Sequence, residues 1–209
     1  MKKFFIVLLV LGGSISARPQ GTVRFSNDST DLSSTPDRLV RFDSSAGAFN
    51  PFVTNYAPVA SNLATGLRVQ LYYGSSVASE GQLVGVTVAP TTFKPSTSPN
   101  IGTWFAGSRT LDGFNDGDTV NLQVRVWDLD YASSWEAAMA LGAAYQGLLG
   151  QSQIFSYRIP SGVLIPPGAD SMQNFQGFTI GLIPEPSTYA IALLGFAVFY
   201  SCRLKNWNF

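Results

Sequence analysis

The chain has 209 residues and a formal net charge of zero, with 12% charged and 45% hydrophobic residues, a composition typical of a globular domain rather than a disordered chain. It contains no histidine and one cysteine, Cys202, which excludes a Ser-His-Asp triad, the common zinc sites and an intrachain disulfide. Four basic residues flank the terminal apolar runs: Lys2, Lys3, Arg203 and Lys205. The rest of the chain has nine basic and thirteen acidic residues, and this acidic excess argues against a nucleic-acid partner.

The N-terminus has the organisation of a secretory signal peptide. Met1–Lys3 is positively charged, Phe4–Leu11 is apolar, and the small residues of Gly12–Ala17 follow. The apolar run is shorter than the roughly 20 residues that a membrane-spanning helix needs. We therefore predict a signal peptide over residues 1–17, cleaved after Ser16 or Ala17.

Residues 18–182 have the composition of a β-rich domain. They are rich in Gly, Pro, Ser, Thr and aromatic residues, and their hydrophobic residues recur at alternate positions in short segments. The predicted strands are residues 21–25, 38–42, 66–73, 83–88, 101–105, 119–128, 153–159 and 177–182. Residues 44–61 are predicted to be a loop, and Gly107, Ser108 and Gly113 are predicted to break the chain after the fifth strand.

The clearest strand is Thr119–Asp128. Four apolar residues fall on one of its faces: Val120, Leu122, Val124 and Val126. The opposite face carries mostly polar residues, which predicts an antiparallel sheet with one buried face and one solvent-exposed face.

One helix interrupts the strands. Ser133 is predicted as its N-cap, Glu136 as the partner that completes a capping box, and Trp135 as the residue that anchors it to the core. Together these elements predict a mainly β fold, an antiparallel β-sandwich of about eight strands with one short helix. The sequence assigns no function to this domain.

The segment from residue 112 to 118 is a weak calcium-binding candidate through three carboxylates: Asp112, Asp116 and Asp118. Oxygen ligands on a glycine-containing turn suit Ca²⁺, but Phe114 stands where an EF-hand needs a second ligand. The alternative, which we favour, is a solvated turn with Asp116-Gly117 as its tight corner.

A second candidate site combines aromatic residues and carboxylates at a strand end: Trp127, Asp128, Asp130 and Tyr131. Aromatic rings beside carboxylates suit carbohydrate binding, and paired carboxylates are also used by glycoside-processing enzymes. On a strand, Asp128 and Asp130 would project from one face about 6.5–7 Å apart, as ordinary surface pairs also do. With no other catalytic motif present, we expect a protein that is not an enzyme and uses no cofactor.

The C-terminal region, residues 183–209, begins with Pro184, Glu185 and Pro186. An apolar segment follows, and its anchoring residues cover every side of a helix: Tyr189, Ile191, Leu193, Leu194, Phe196, Val198 and Phe199. Arg203 and Lys205 lie just beyond it. This pattern predicts a short membrane-spanning helix with its basic end in the cytoplasm, and the alternative is a buried C-terminal helix.

This arrangement resembles the PEP-CTERM sorting signal of Gram-negative bacteria, over about the last 26 residues. The resemblance implies export through the Sec machinery, transient membrane anchoring, processing by an exosortase and association with exopolysaccharide and biofilm matrix. Arg203 and Lys205 stand where the family has a cluster of arginines. Residues 119–155 are also similar to β-rich exported proteins that carry this signal. We therefore expect an exported protein of the cell envelope or extracellular matrix with a structural or adhesive role, or alternatively an exopolysaccharide-binding module.

Overall fold

The structure is a computed structural model that describes residues 20–27, 37–49, 54–62, 66–161 and 171–183. The predicted signal peptide and the predicted sorting signal lie outside these residues. Within them the protein is mainly β. The strands are β1 Gln20–Ser26, β2 Arg41–Phe42, β3 Leu67–Ser75, β4 Val84–Gly85, β5 Phe105–Asn115, β6 Thr119–Asp128, β7 Leu149–Gln151, β8 Phe155–Arg158 and β9 Thr179–Ile180. The α-helices are α1 Ala46–Phe49 and α2 Trp135–Leu141, and Glu80–Gln82 and Gly142–Ala144 form 3₁₀ turns.

The largest sheet is built around β6. Its strand order is β4-β3-β6-β7, and β8 also pairs with β6. All of β6 pairs antiparallel with β3, from Leu67↔Asp128 to Ser75↔Val120. On its other edge β6 pairs first with β8 and then with β7. The gap between these two partners is filled by Ser152, which exchanges hydrogen bonds with the backbone of Val124.

Two smaller sheets complete the described fold. Strands β1 and β5 pair antiparallel, with register shifts along the pair. Strands β2 and β9 form a two-residue parallel pair, Arg41↔Thr179 and Phe42↔Ile180, which the antiparallel expectation missed. Because β9 also bridges to β7 through Leu149 and Gly181, it connects this small sheet to the large one.

The main hydrophobic core receives fully buried side chains from β1, β3, β5 and β6, such as Phe25, Leu71, Leu111 and Val124. Burial of such apolar surface is the main favourable contribution to folding. The alternation predicted for Thr119–Asp128 is confirmed on this side, since its four apolar residues are completely buried.

The opposite face of β6 is buried over its second half, which corrects the expectation of a solvent-exposed face, although Thr119 at the start of the strand is exposed. Gln123, Arg125 and Trp127 are 1%, 6% and 1% exposed. A second hydrophobic cluster, which includes Trp135 of α2, packs over this part of the sheet. Trp135 therefore anchors the helix as predicted, and the large sheet is covered on both faces where α2 crosses it.

Several predicted boundaries were wrong. The fifth strand runs over Phe105–Asn115 rather than 101–105, and Gly107 and Gly113 lie inside it with φ of +69° and +84°. They bend an irregular strand instead of ending it, as glycines at bulges do. Strands are shorter than predicted at residues 38–42, 83–88, 153–159 and 177–182. In addition, β1 is longer than predicted, β3 runs to Ser75 instead of Tyr73, and β7 was not predicted.

The two helix starts also differ from expectation. The N-cap of α2 is Ser134, whose side chain accepts a hydrogen bond from the Ala137 N–H at 3.1 Å, and not Ser133. The segment predicted as a loop contains α1, whose start is held by the Asp43 carboxylate through the N–H groups of Ser45 and Ala46. No helix among the described residues is long and apolar enough to cross a membrane.

Candidate functional sites

The structure divides the aromatic–carboxylate candidate into a buried half and an exposed half. Trp127 is 1% exposed and belongs to the second hydrophobic cluster, so its ring offers no face to a sugar, contrary to the prediction. Tyr131 is 43% exposed, and its ring makes an edge contact with that of Tyr145 at 6.3 Å. Of the two predicted stacking residues, only Tyr131 is accessible to a ligand.

The two carboxylates of this candidate stand together, but not as a strand pair. Strand β6 ends at Asp128, and the Asp130 N–H donates to Asp128 Oδ1 at 3.1 Å in the following turn. Both carboxylates lie over Gly66, where a Cβ would be 1.8 Å from Asp128 Oδ1 and 2.7 Å from Asp130 Oδ2. The 6.5–7 Å spacing expected on a strand therefore does not apply to this pair.

Asp128 has the electrostatics of a buried carboxyl group. Desolvation and the charge of Asp130 raise its pKa, against a lowering by the Asp130 N–H and by Arg68. A raised carboxyl pKa is a property of general acids, but Asp128 is only 3% exposed. Its carboxylate accepts a hydrogen bond from the Asp130 N–H, which stabilises the turn that follows β6.

The calcium candidate forms the turn that the alternative interpretation described. The Asp118 N–H donates to the Asn115 carbonyl at 3.1 Å, and Gly117 has a φ of +86° that favours glycine. One Asp118 carboxylate oxygen accepts the Asn115 N–H at 2.8 Å, while Asp112 lies back in β5 with its N–H bonded to the Tyr73 hydroxyl. Among the described residues, no group of three or more acidic, histidine or cysteine side chains is placed to hold a metal ion.

The covered face of β6 contains a buried cation. The Arg125 guanidinium lies 4.1 Å from the Tyr72 ring centroid and 5.4 Å from that of Trp135. Its Nε donates to Gln123 Oε1 at 2.8 Å and its Nη2 to the Glu80 carbonyl at 2.9 Å. With its rings and acceptors supplied by the protein, Arg125 holds the sheet, the 3₁₀ turn and α2 together.

A groove of about 550 Å³ lies beside Arg125 and is bordered by Glu136 and Met139 of α2. Glu136 accepts a hydrogen bond from the Tyr72 hydroxyl at 2.8 Å. Burial and this carboxylate together raise the Tyr72 pKa well above its usual range. Arg125 and Glu136 in this groove are thus already bonded to other protein groups.

A different groove, of about 460 Å³, lies between the β7–β8 edge of the large sheet and the segment that leads into β9. We call it the amide groove. Its lining residues are Gln151, Gln153, Ile154, Phe155, Asn174, Gln176, Gly177, Phe178 and Thr179. None of them is charged, four carry side-chain amides, and two are phenylalanines.

The two walls of the amide groove are tied by hydrogen bonds. Leu149 and Gly181 exchange a pair of backbone bonds of 2.8 and 3.0 Å. The Asn174 Nδ2 donates to the Ser156 carbonyl at 2.8 Å. Because each wall is also part of a strand or joined to one, the groove is a fixed feature of the fold.

Sequence reasoning did not identify the amide groove. A signal was present, since Gln151 and Gln153, and likewise Asn174 and Gln176, are amide residues two positions apart, which places each pair on one face of an extended segment. Nothing in the sequence indicated that segments more than twenty residues apart would face each other.

No protein-family model matches this chain, and neither a curated protein nor a solved structure matches it.

Proposed function

We propose that this protein is exported to the cell envelope or extracellular matrix, where it has a structural or adhesive role, and that an exosortase processes its C-terminal sorting signal. One observation carries the proposal: Pro184-Glu185-Pro186 is followed by an apolar run and a basic end. The N-terminal pattern of residues 1–17 supports it independently, because a signal peptide and a sorting signal serve the same route.

The physical roles of the two ends follow from their composition. The N-terminal apolar run brings the chain to the Sec machinery. The segment from Tyr189 to Tyr200, extended by its polar neighbours, approaches the length of a membrane-spanning helix and retains the chain in the membrane. Arg203 and Lys205 then stay in the cytoplasm, and the β domain is placed on the other side of the membrane.

We further propose that the β domain is a β-sandwich. The support is that β1 and β5 share one hydrophobic core with β3 and β6 of the large sheet, as two packed layers do. Such a domain at the cell surface suits a role in adhesion or matrix structure.

Fractionation of the native host, with mass spectrometry of the mature termini, tests this proposal. We expect the full chain to lose residues 1–16 or 1–17 and the region after Ile183, and to accumulate at the cell surface or in the medium. Replacing the motif by Pro184→Ala, Glu185→Ala and Pro186→Ala should leave the C-terminus intact and the protein in the membrane fraction. Pro99→Ala, a change at an exposed loop proline, is the matched control and should be processed normally.

Recovery of the protein from the cytosol with both termini intact would refute the proposal. Normal C-terminal processing of the triple variant would show that residues 184–186 are not the recognised signal.

A further inference from the structure

We propose that the amide groove is a binding site for a neutral, hydroxyl-rich glycan chain. The inference rests on the groove itself and not on the proposed export. It moves the carbohydrate-binding hypothesis away from Trp127, whose ring is buried, to a site that the sequence did not reveal.

The charge of the groove selects the class of ligand. Its nine lining residues include no aspartate, glutamate, lysine or arginine. A charged group that enters such a groove loses water without gaining an opposite charge, which is costly. A ligand with hydroxyl groups and no charge meets no such penalty.

The amides of the groove have hydrogen-bonding capacity left over. Each side-chain amide offers one acceptor oxygen and two N–H donors. Gln153 and Gln176 are exposed and make no side-chain hydrogen bond to other described residues. Hydroxyl groups both donate and accept, so they match amides better than a carboxylate or an ammonium group does.

One amide is incompletely satisfied inside the protein. Gln151 Nε2 donates to Glu80 Oε1 at 2.8 Å, whereas Gln151 Oε1 is buried and has no hydrogen-bond partner among the described residues. A buried acceptor without a donor costs about 1–3 kcal/mol. Because this oxygen is buried, a ligand does not reach it, and the accessible amides without a protein partner are those of Gln153 and Gln176.

The apolar part of the groove is centred on Phe178, which is partly exposed, whereas Phe155 is 8% exposed and belongs to the main hydrophobic core. Phe155 and Phe178 both make near-perpendicular ring contacts with Phe175, at 5.7 and 6.2 Å between centroids. The apolar faces of sugar rings pack on aromatic side chains, and fixed rings lose little entropy on binding.

The groove can hold a short stretch of a longer chain. Its volume of about 460 Å³ lies within the range of small-ligand sites. Gln153, Gln176 and Thr179 are solvent-exposed, so the groove is open along its rim and the ends of a longer polymer would not be blocked.

The experiment is calorimetric titration of the purified full chain with soluble neutral polysaccharides (dextran, mannan and galactan) and with anionic polygalacturonate. We expect at least one neutral polymer to bind and polygalacturonate to bind more weakly. The double variant Gln153→Ala, Gln176→Ala should bind about tenfold more weakly or worse, since each lost hydrogen bond contributes about 0.5–1.5 kcal/mol.

Gln146→Ala is the matched control, because Gln146 is an exposed glutamine outside the groove, and its affinity should equal that of the wild type. Thermal unfolding of both variants establishes that they are folded. The proposal is overturned if none of the three neutral polymers binds, if polygalacturonate binds best, or if the double variant binds as well as the control. None of these results bears on processing of the termini, so failure here is separate from failure of the proposed function.

Discussion

The buried guanidinium of Arg125 gives the sharpest stability prediction. Arg125→Met keeps most of the aliphatic length of the side chain and removes its charge, its two hydrogen bonds and its two ring contacts. Gln123 Oε1 then loses its donor, and the Glu80 carbonyl keeps only the Leu83 N–H at 3.4 Å. We expect a clear loss of folding free energy without a change of fold.

The magnitude follows from these contacts. Hydrogen bonds from a charged donor contribute about 1.5–3 kcal/mol each, and a cation over an aromatic ring about 0.5–2 kcal/mol. Relief of the desolvation penalty of the buried charge offsets part of this loss. The expected destabilisation is about 2–4 kcal/mol. Arg125→Lys, which keeps the charge but not the planar fork of donors, should fall between the wild type and the methionine variant.

Urea unfolding of the full chain in a mild non-ionic detergent measures this difference. Tryptophan fluorescence is a direct probe, since Trp127 and Trp135 lie in the cluster that Arg125 contacts. Arg158→Met is the matched control: Arg158 is an exposed strand residue, and its loss should change the free energy of unfolding by less than about 0.5 kcal/mol. If Arg125→Met also stays within about 0.5 kcal/mol of the wild type, the inference that Arg125 holds the sheet, the 3₁₀ turn and α2 together is wrong.

Three further predictions test other parts of the structure. Ser134→Ala should cost about 1 kcal/mol in urea unfolding, as loss of an N-cap does, whereas Ser133→Ala should be close to neutral; equal effects would contradict the observed cap. Gly150→Ala should cost about 1–3 kcal/mol, because a Cβ there would lie 2.6 Å from a carbonyl oxygen of β9, while Gly81→Ala, with no atom within 4 Å of its Cβ, should show no such loss. Burial raises the pKa of Tyr145 to about 12. As the pH rises, the unfolded chain therefore loses the Tyr145 proton at a lower pH than the folded chain does, and the free energy of unfolding should fall between about pH 10 and 12. An equally steep fall in the Tyr145→Phe variant would exclude this tyrosine as a cause.

The strand Thr119–Asp128 shows which structural features the local residue pattern can predict. Its bounds and its buried apolar face were predicted correctly, because alternation over ten residues is a strong signal of a strand with one buried face. The burial of Gln123 and Arg125 on the other face was missed. A polar residue taken by itself predicts solvent exposure. Burial is favourable here because distant segments supply partners: the Ser152 carbonyl accepts from Gln123 Nε2, and the 3₁₀ turn Glu80–Gln82 and α2 contact Arg125.

The glycines of β5 mislead in a different way. Gly107 and Gly113 were interpreted as breaks because glycine is common in turns. In the structure the pairing partner β1 accommodates them through shifts in register. Whether a glycine ends a strand or bends it depends on the neighbouring strand, which is not visible in the local sequence.

The amide groove was beyond sequence reasoning for a topological reason. Gln151 and Gln153 come from the edge of the large sheet, and Asn174 and Gln176 come from the segment before β9. Their meeting depends on the bridge between Leu149 and Gly181, a contact between segments about thirty residues apart. Amide residues at alternate positions predict that their side chains share one face of a segment. They do not predict which other segment lies opposite that face.

The position of β6 inside the large sheet also determines how slowly its backbone amides exchange hydrogen with solvent. Its amides are shielded along one edge by β3 and along the other by β8, Ser152 and β7. In hydrogen exchange such a strand opens only with the whole fold, whereas two-residue pairings such as β2–β9 open by local fluctuation. Ligand-induced slowing of exchange in residues 149–156 and 174–181, at the walls of the amide groove, would report occupancy of the groove, while the exchange rate at β6 would still report global unfolding.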